Sequence, residues 1–253
     1  FSLCLSLFIL FFAFPWVFFN WPTGRDSPIW EISLLVSSMV LVLQLPGFVF
    51  DWFRQFSLEQ KFGFNNQTQN LWIMDKIKET VLSFVFLGLM IGVLVFFYRE
   101  FSAFSPNYWW FWSFGGVFFL QLALMVFWPR FILPLFNTLA PLNDDGLSEK
   151  LHNLANKTGF KAKEIQVIDG SKRSGHSNAF FTGFGRFRKI VLYDTLLEQM
   201  NESEIEAVVA HEIGHYRLGH IPKRLALSLI FGWGFFYLLH ILLSSDWLIT
   251  QLN

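Results

Sequence analysis

Five long stretches of this chain carry no Asp, Glu, Lys or Arg: Phe1–Phe19, Ile32–Phe50, Thr80–Tyr98, Tyr108–Trp128 and Leu225–Leu243. At about 1.5 Å of rise per residue, each is long enough to cross a hydrocarbon layer of about 30 Å as a helix. A buried core helix explains one such run, but a fold of 253 residues has no interior for five. The surface arithmetic agrees. Only 15% of residues are charged, whereas 34 are Phe and 11 are Trp, and a soluble domain usually carries about a quarter charged residues. Disorder, collagen-like repeats and an ordinary soluble enzyme are excluded. The first run lacks a basic flank and a small-residue cleavage site, so it reads as a helix that stays, not a signal peptide. Trp and Tyr gather at the ends of the runs (Trp16, Trp21, Trp30, Trp52, Tyr98, Trp109, Trp110, Trp128, Trp247), as interfacial anchors do.

If all five runs cross, the segments between them alternate sides. Segments 20–31 and 99–107 hold two basic residues, Arg25 and Arg99, and segments 51–79 and 129–224 hold the other 17. The short loop counts most, with Arg54, Lys61, Lys76 and Lys78, and the positive-inside rule places it and the long segment in the cytoplasm. Net charge is zero, with 19 basic and 19 acidic residues, so no nucleic acid or other polyanion is implied as a partner. The single cysteine, Cys4, excludes a disulfide framework and a Cys-based zinc ribbon.

The architecture expected is therefore mainly α, a polytopic membrane protein whose helices carry a small cytoplasmic α+β domain. Residues 1–128 supply N-terminal membrane helices with the cytoplasmic loop 51–79, residues 129–224 the polar domain, and residues 225–253 a C-terminal membrane helix. In the polar domain, Pro129, Pro134 and Pro141 are expected to prevent a long regular helix. Leu147 to Lys157 has helical spacing and ends near Gly159. Glu164–Ile168 alternates as a strand and stops at the turn pair Asp169-Gly170. Ala179–Thr182 and Lys189–Tyr193 read as a hairpin around a Gly-containing turn. A helix then spans about 203–219, opened by a Ser203-x-x-Glu206 capping box and ended near Gly219, with Pro222 beyond.

That helix contains His211-Glu212-Ile213-Gly214-His215. Imidazoles at i and i+4 lie one above the other on one helix face, so both reach a single ion; this is the His-Glu-x-x-His pattern of zinc hydrolases. His211 and His215 are the candidate metal ligands and Zn2+ the expected cofactor. Glu212 is the candidate catalytic base, able to deprotonate a water made acidic by the ion. A third protein ligand is needed. His220 lies five residues after His215, about 140° around a continuous helix, and reads as a helix-end or interfacial histidine. Asp246 and His240 lie beyond or within the last membrane run, and no glutamate follows Glu212. Either the third ligand comes from upstream, or the chain ends before it.

Four stretches, taken together, resemble the type I CAAX prenyl endopeptidases, integral-membrane zinc metalloproteases: SLEQKFGFNNQT (Ser57 to Thr68), PRFILPLFNTLAPL (Pro129 to Leu142), DGSKRSGHSNAFFTGFGRFRKIVLYDTLL (Asp169 to Leu197) and AVVAHEIGHYRLGH (Ala207 to His220). The third block is far more specific than the zinc motif. The resemblance implies seven membrane helices around a water-filled chamber, with the zinc site facing it under a cytoplasmic cap. It implies a substrate peptide extended along an edge strand that includes Asn178, Ala179 and Phe180, aligned by backbone hydrogen bonds. His176, just ahead of that strand, could contact the substrate or be a loop histidine that satisfies backbone groups. It also implies a third zinc ligand, a glutamate on a later helix, and a downstream histidine and arginine; none has a counterpart here. The chain therefore reads as a piece of a longer protein, expected by itself to bind zinc weakly and to be inactive.

The function implied is a zinc-dependent membrane endopeptidase that cleaves prenylated or membrane-associated peptide ends, in a bacterial inner membrane or the endoplasmic reticulum. Its partners are then a peptide or prenylated protein substrate and the lipid bilayer. The alternatives are a quality-control protease for misfolded membrane proteins and an inactive pseudoprotease scaffold. Two further groups draw notice. Lys172, Arg173, Arg186, Arg188 and Lys189 form a basic cluster that could meet a substrate carboxylate or lipid headgroups, or simply face solvent. Glu59 and Lys61 could belong to the cap or form an exposed ion pair.

Overall fold

In a computed structural model, residues 27–160, 162–183 and 188–245 are described. The run Phe1–Phe19, along with Trp21, Arg25, Arg186, Asp246 and Trp247, lies outside the described residues. In chain order the elements are α1 (Ile29–Phe53), α2 (Gln69–Phe104), α3 (Trp109–Phe127), the short α4 (Leu133–Phe136), β1 (Leu139–Pro141) and α5 (Asp145–Lys157). There follow β2 (Glu164–Ile168), β3 (Ala179–Thr182), β4 (Lys189–Tyr193), α6 (Asp194–Gln199), α7 (Glu202–Arg217) and α8 (His220–Leu243). The chain gathers into two compact units. One holds the chain up to Arg54, Ile73–Gln121 and the chain from Leu229; the other holds Gln55–Trp72 and Leu122–Ser228.

Four helical stretches among the described residues are long and apolar enough to cross a membrane: Ile29–Glu59, Gln69–Phe104, Trp109–Phe136 and His220–Leu243. Each takes in one of the apolar runs, all but Tyr108 in the case of Trp109–Phe136, and extends past it at one end or both. The helix of α2 starts at Gln69 and includes Asp75, Lys76, Lys78 and Glu79 before its apolar part begins. Large apolar side chains along the stretches are exposed, among them Val49, Val81, Phe119 and Phe231. Hydrocarbon accepts such a surface, and a helix satisfies its own backbone there. The protein is a multi-pass membrane protein.

The first unit packs its helices through small residues and aromatic rings. A Cβ built on Gly88 would sit 3.6 Å from Ser37 Oγ, and one on Gly92 would sit 3.4 Å from Ser33 Oγ. This is the close approach that small residues allow between membrane helices. At one end Lys76 Nζ reaches Asp51 Oδ2 at 3.1 Å and Glu79 Oε2 at 2.8 Å. Trp109, Trp110, Phe114 and Phe236 form a buried aromatic cluster. Trp109 donates its indole N–H to His240 Nδ1 at 3.1 Å.

The second unit is built on a four-stranded sheet in the order β1-β2-β4-β3. Strands β1 and β2 are antiparallel, β2 and β4 parallel, and β4 and β3 antiparallel as the expected hairpin. Its core joins Leu147 and Leu151 of α5, Ile165, Ile190 and Leu192 of the sheet, and Ile205, Val209 and Ile213 of α7. The last three recur every fourth residue, one face of a helix. As expected, no long regular helix runs through the three prolines. Helical structure continues through Pro129 as the π-helical segment Trp128–Ile132 and then α4. Wider hydrogen-bond spacing absorbs the break that a missing N–H makes in a regular α-helix. Pro141 lies in β1, an outer strand of the sheet, where a proline is tolerated.

Candidate metal centre

The helix that carries the histidines begins two residues earlier than the sequence pattern suggests. Asn201 is the N-cap: its Oδ1 accepts from the amides of Ser203 and Glu204, both at 3.1 Å, and Glu204 Oε2 accepts from the amide of Asn201 at 2.9 Å. The capping box is thus Asn201–Glu204, not Ser203–Glu206. With the start fixed by Asn201 and one face fixed in the core by Ile205, Val209 and Ile213, His211 and His215 stand on an exposed face one turn apart, with Glu212 half-buried beside them.

His211 Nε2 and His215 Nε2 lie 3.1 Å apart. Two nitrogens bound at about 2.0–2.1 Å to one tetrahedral ion sit roughly 3.3 Å apart, so the pair fits such an ion with little movement. Atoms of His211, Glu212 and His215 all fall within 4.8 Å of one another. The residues therefore fit a metal. His240 does not join the group, since it is held by Trp109, and Asp246 lies outside the described residues. His220 comes closer than a continuous helix would bring it. Helix α7 stops at Arg217, Gly219 adopts φ +66°, and His220 Nδ1 ends 2.7 Å from His215 Nδ1.

Helix α7 packs against β3, which is an outer strand hydrogen-bonded only to β4 among the described residues. Asn178 O accepts from the amide of Tyr193 at 3.0 Å, and Ala179 pairs with Leu192. In an antiparallel ladder the hydrogen-bonding direction alternates. The backbone groups of Asn178 and Phe180 therefore turn toward β4, while those of Ala179 and Phe181 turn to the open edge. The Ala179 amide is meanwhile met by Asn178 Oδ1 at 2.9 Å. The side chain of Ala179 is buried and that of Asn178 exposed.

His176 lies just ahead of this strand. Its ring stacks on Phe64, and its Nε2 is 3.2 Å from Glu59 Oε2. Glu59 therefore meets His176 and not Lys61. Four members of the expected basic cluster each meet a partner of their own. Lys172 meets Asp169, Arg173 Nη1 reaches Asn137 Oδ1 at 3.1 Å, and the Arg188 guanidinium lies 4.3 Å from the Tyr216 ring centroid. Lys189 Nζ is 2.8 Å from Glu164 Oε2, and that hydrogen bond holds the Glu164 carboxyl below its ordinary value. Arg186 is outside the described residues. The loop Glu59–Asn66 and the position of His220 are the features that local pattern does not give, because both depend on where the chain turns.

Residues 1–138 match the family described as CAAX prenyl protease N-terminal, five membrane helices, and residues 141–251 match peptidase family M48. CAAX prenyl protease 1 of Saccharomyces cerevisiae is 40% identical over 195 residues, 77% of this chain and 42% of the yeast protein. The CAAX prenyl protease 1 homolog of Arabidopsis thaliana is 40% identical over 178 residues, 70% of this chain and 41% of that protein. The crystal structure of S. mikatae Ste24p superposes with a TM-score of 0.80 at 35% identity, covering 93% of this chain and 55% of that one. The chain spans about half the length of the relatives it matches.

Proposed function

Because the chain belongs to the type I CAAX prenyl proteases of peptidase family M48, we propose that it acts as a zinc-dependent membrane endopeptidase on prenylated, CAAX-type peptide ends. The observation that carries this reading is the approach of His211 Nε2 to His215 Nε2, at 3.1 Å, beside Glu212. The names of the relatives supply the substrate class.

His211 and His215 would hold the zinc, since their Nε2 atoms face each other at the spacing that one ion needs. When bound, zinc supplies Lewis acidity, which polarises the scissile carbonyl and acidifies water. Glu212 takes the proton of the attacking water and delivers it to the departing amine. The open edge of β3 aligns the peptide as an added strand, with the backbone groups of Ala179 and Phe181 as the hydrogen-bonding positions. Main-chain bonds fix where the peptide is cut without demanding particular side chains, and Asn178, Phe180 and His176 flank that strand. A membrane setting suits such a substrate, because a prenyl chain is stabilised in hydrocarbon by about 0.8 kcal/mol per buried CH₂ while its peptide bond needs water. The surplus of Lys and Arg in segments 51–79 and 129–224 favours a cytoplasmic site.

The test is cleavage of a farnesylated peptide by the full-length protein in detergent or vesicles. Glu212→Gln is expected to lower kcat by about 10²–10⁴-fold with zinc content unchanged. Unchanged kcat in that variant, or cleavage confined to unmodified misfolded membrane proteins, would count against the proposal.

A further inference from the structure

We propose that His220 is a positioning residue for the metal ligand His215, holding its ring in the tautomer that presents Nε2 to the ion. The proposal rests on the reading that His211 and His215 share a metal. The two nitrogens of His215 face different neighbours. Its Nε2 faces His211 Nε2 at 3.1 Å, and its Nδ1 faces His220 Nδ1 at 2.7 Å. An imidazole that gives the Nε2 lone pair to a metal keeps its proton on Nδ1, and that N–H needs an acceptor. His220 Nδ1 is the acceptor within reach, which places the proton of His220 on its own Nε2. The rings lie 4.8 Å apart between centroids, inclined by 55°, so they meet edge to edge through the two nitrogens and do not stack.

The chain path explains how a residue five positions on can do this. On an unbroken helix it would lie about 140° away from His215. Here the Leu218 amide bonds to Gly214 O and the Gly219 amide to Tyr216 O, both at 3.0 Å, and α8 begins anew at His220. Gly219 makes the turn at φ +66°, a conformation that costs little only without a Cβ. The Gly219-His220 pair thus works as one device: the glycine folds the chain back and the histidine receives the ligand's proton.

The experiment is zinc affinity of the full-length protein in detergent, measured by competition with a chromophoric chelator, for His220→Leu, His220→Asn, His211→Ala and His215→Ala. Leucine removes the acceptor, and asparagine restores one through its amide oxygen. His220→Leu is expected to weaken zinc binding about 10–100-fold, and His220→Asn to recover most of that loss. Melting temperatures of the metal-free proteins are expected to agree, which separates the effect from misfolding. Wild-type affinity in His220→Leu, or equal losses in the leucine and asparagine variants, overturns the proposal while leaving the metal site intact. Unchanged affinity in His211→Ala and His215→Ala overturns the reading beneath it.

Discussion

The imidazole of His176 lies flat on the ring of Phe64, with centroids 4.2 Å apart and planes 19° from parallel. The stack closes a small clamp between two distant segments. The amide of Gly175 bonds to Phe64 O at 2.9 Å, the amide of Asn66 to Arg173 O at 3.3 Å, and Asn66 Nδ2 to Ser171 O at 3.0 Å. His176 O in turn accepts from Thr195 Oγ1 at 3.0 Å. The chain that leaves α1 therefore pins the residues that lead into the open-edged strand β3.

Removing the ring tests whether that pinning serves alignment of the peptide. Phe64→Ala is expected to cost about 0.5–1.5 kcal/mol beyond the area lost and to speed amide hydrogen exchange in residues 174–181. KM for a farnesylated peptide should rise while kcat changes less, because the strand is loosened and the metal helix is not. Phe64→Tyr should restore both. Exchange rates left unchanged in the alanine variant would show that the strand is held by its other bonds alone.

The start of the metal helix offers a second measurement. Asn201 satisfies the amides of Ser203 and Glu204, and losing such a cap costs about 1 kcal/mol. Asn201→Ala is expected to lower the melting temperature, Asn201→Asp to leave it nearly unchanged, and Glu204→Ala to lower it more than Glu206→Ala. The reverse order for the two glutamates would restore the box that the Ser203-x-x-Glu206 spacing suggests.

That comparison shows where local pattern reaches and where it stops. Strands β2, β3 and β4 are legible to the residue, β2 by its alternation and β3 and β4 as short apolar runs on either side of a Gly-containing turn. The His-Glu-x-x-His pair is legible because its geometry is fixed by one turn of helix. The membrane helices are legible only as their apolar parts. Hydropathy does not register the first turns of α2, where Asp75, Lys76, Lys78 and Glu79 continue the same helix. Strand β1 escapes detection because three residues ending in Pro141 carry no pattern of their own and are strand only by pairing with Ile168, Val167 and Gln166. The clamp of Phe64 on His176 and the approach of His220 to His215 are tertiary facts. One needs a loop to meet a distant turn, and the other needs a helix to break at Gly219.

Acid should loosen the turn that follows β2, and Asp169 is the group to watch. Its Oδ1 accepts from the amide of Thr138 at 2.7 Å, and its other oxygen meets Lys172. Burial pushes this carboxyl up, but the hydrogen bonds from Lys172 and Thr138 outweigh it and hold the group below its ordinary value. A carboxyl held low in the folded state favours folding in its charged form. Its contribution is therefore complete above the unfolded value, about 4 for an aspartate, and is lost as the pH falls through the lower folded value. Asp169→Asn keeps an oxygen for Thr138 but carries no charge for Lys172. The variant is expected to melt below the parent protein at pH 7, and the gap should narrow as the pH drops from about 5 toward 3. The check is a series of melting curves of both proteins across that range in one detergent. Parallel curves, with a constant gap, would mean that the carboxyl gains no stability from its charge and that the Thr138 bond alone secures the turn.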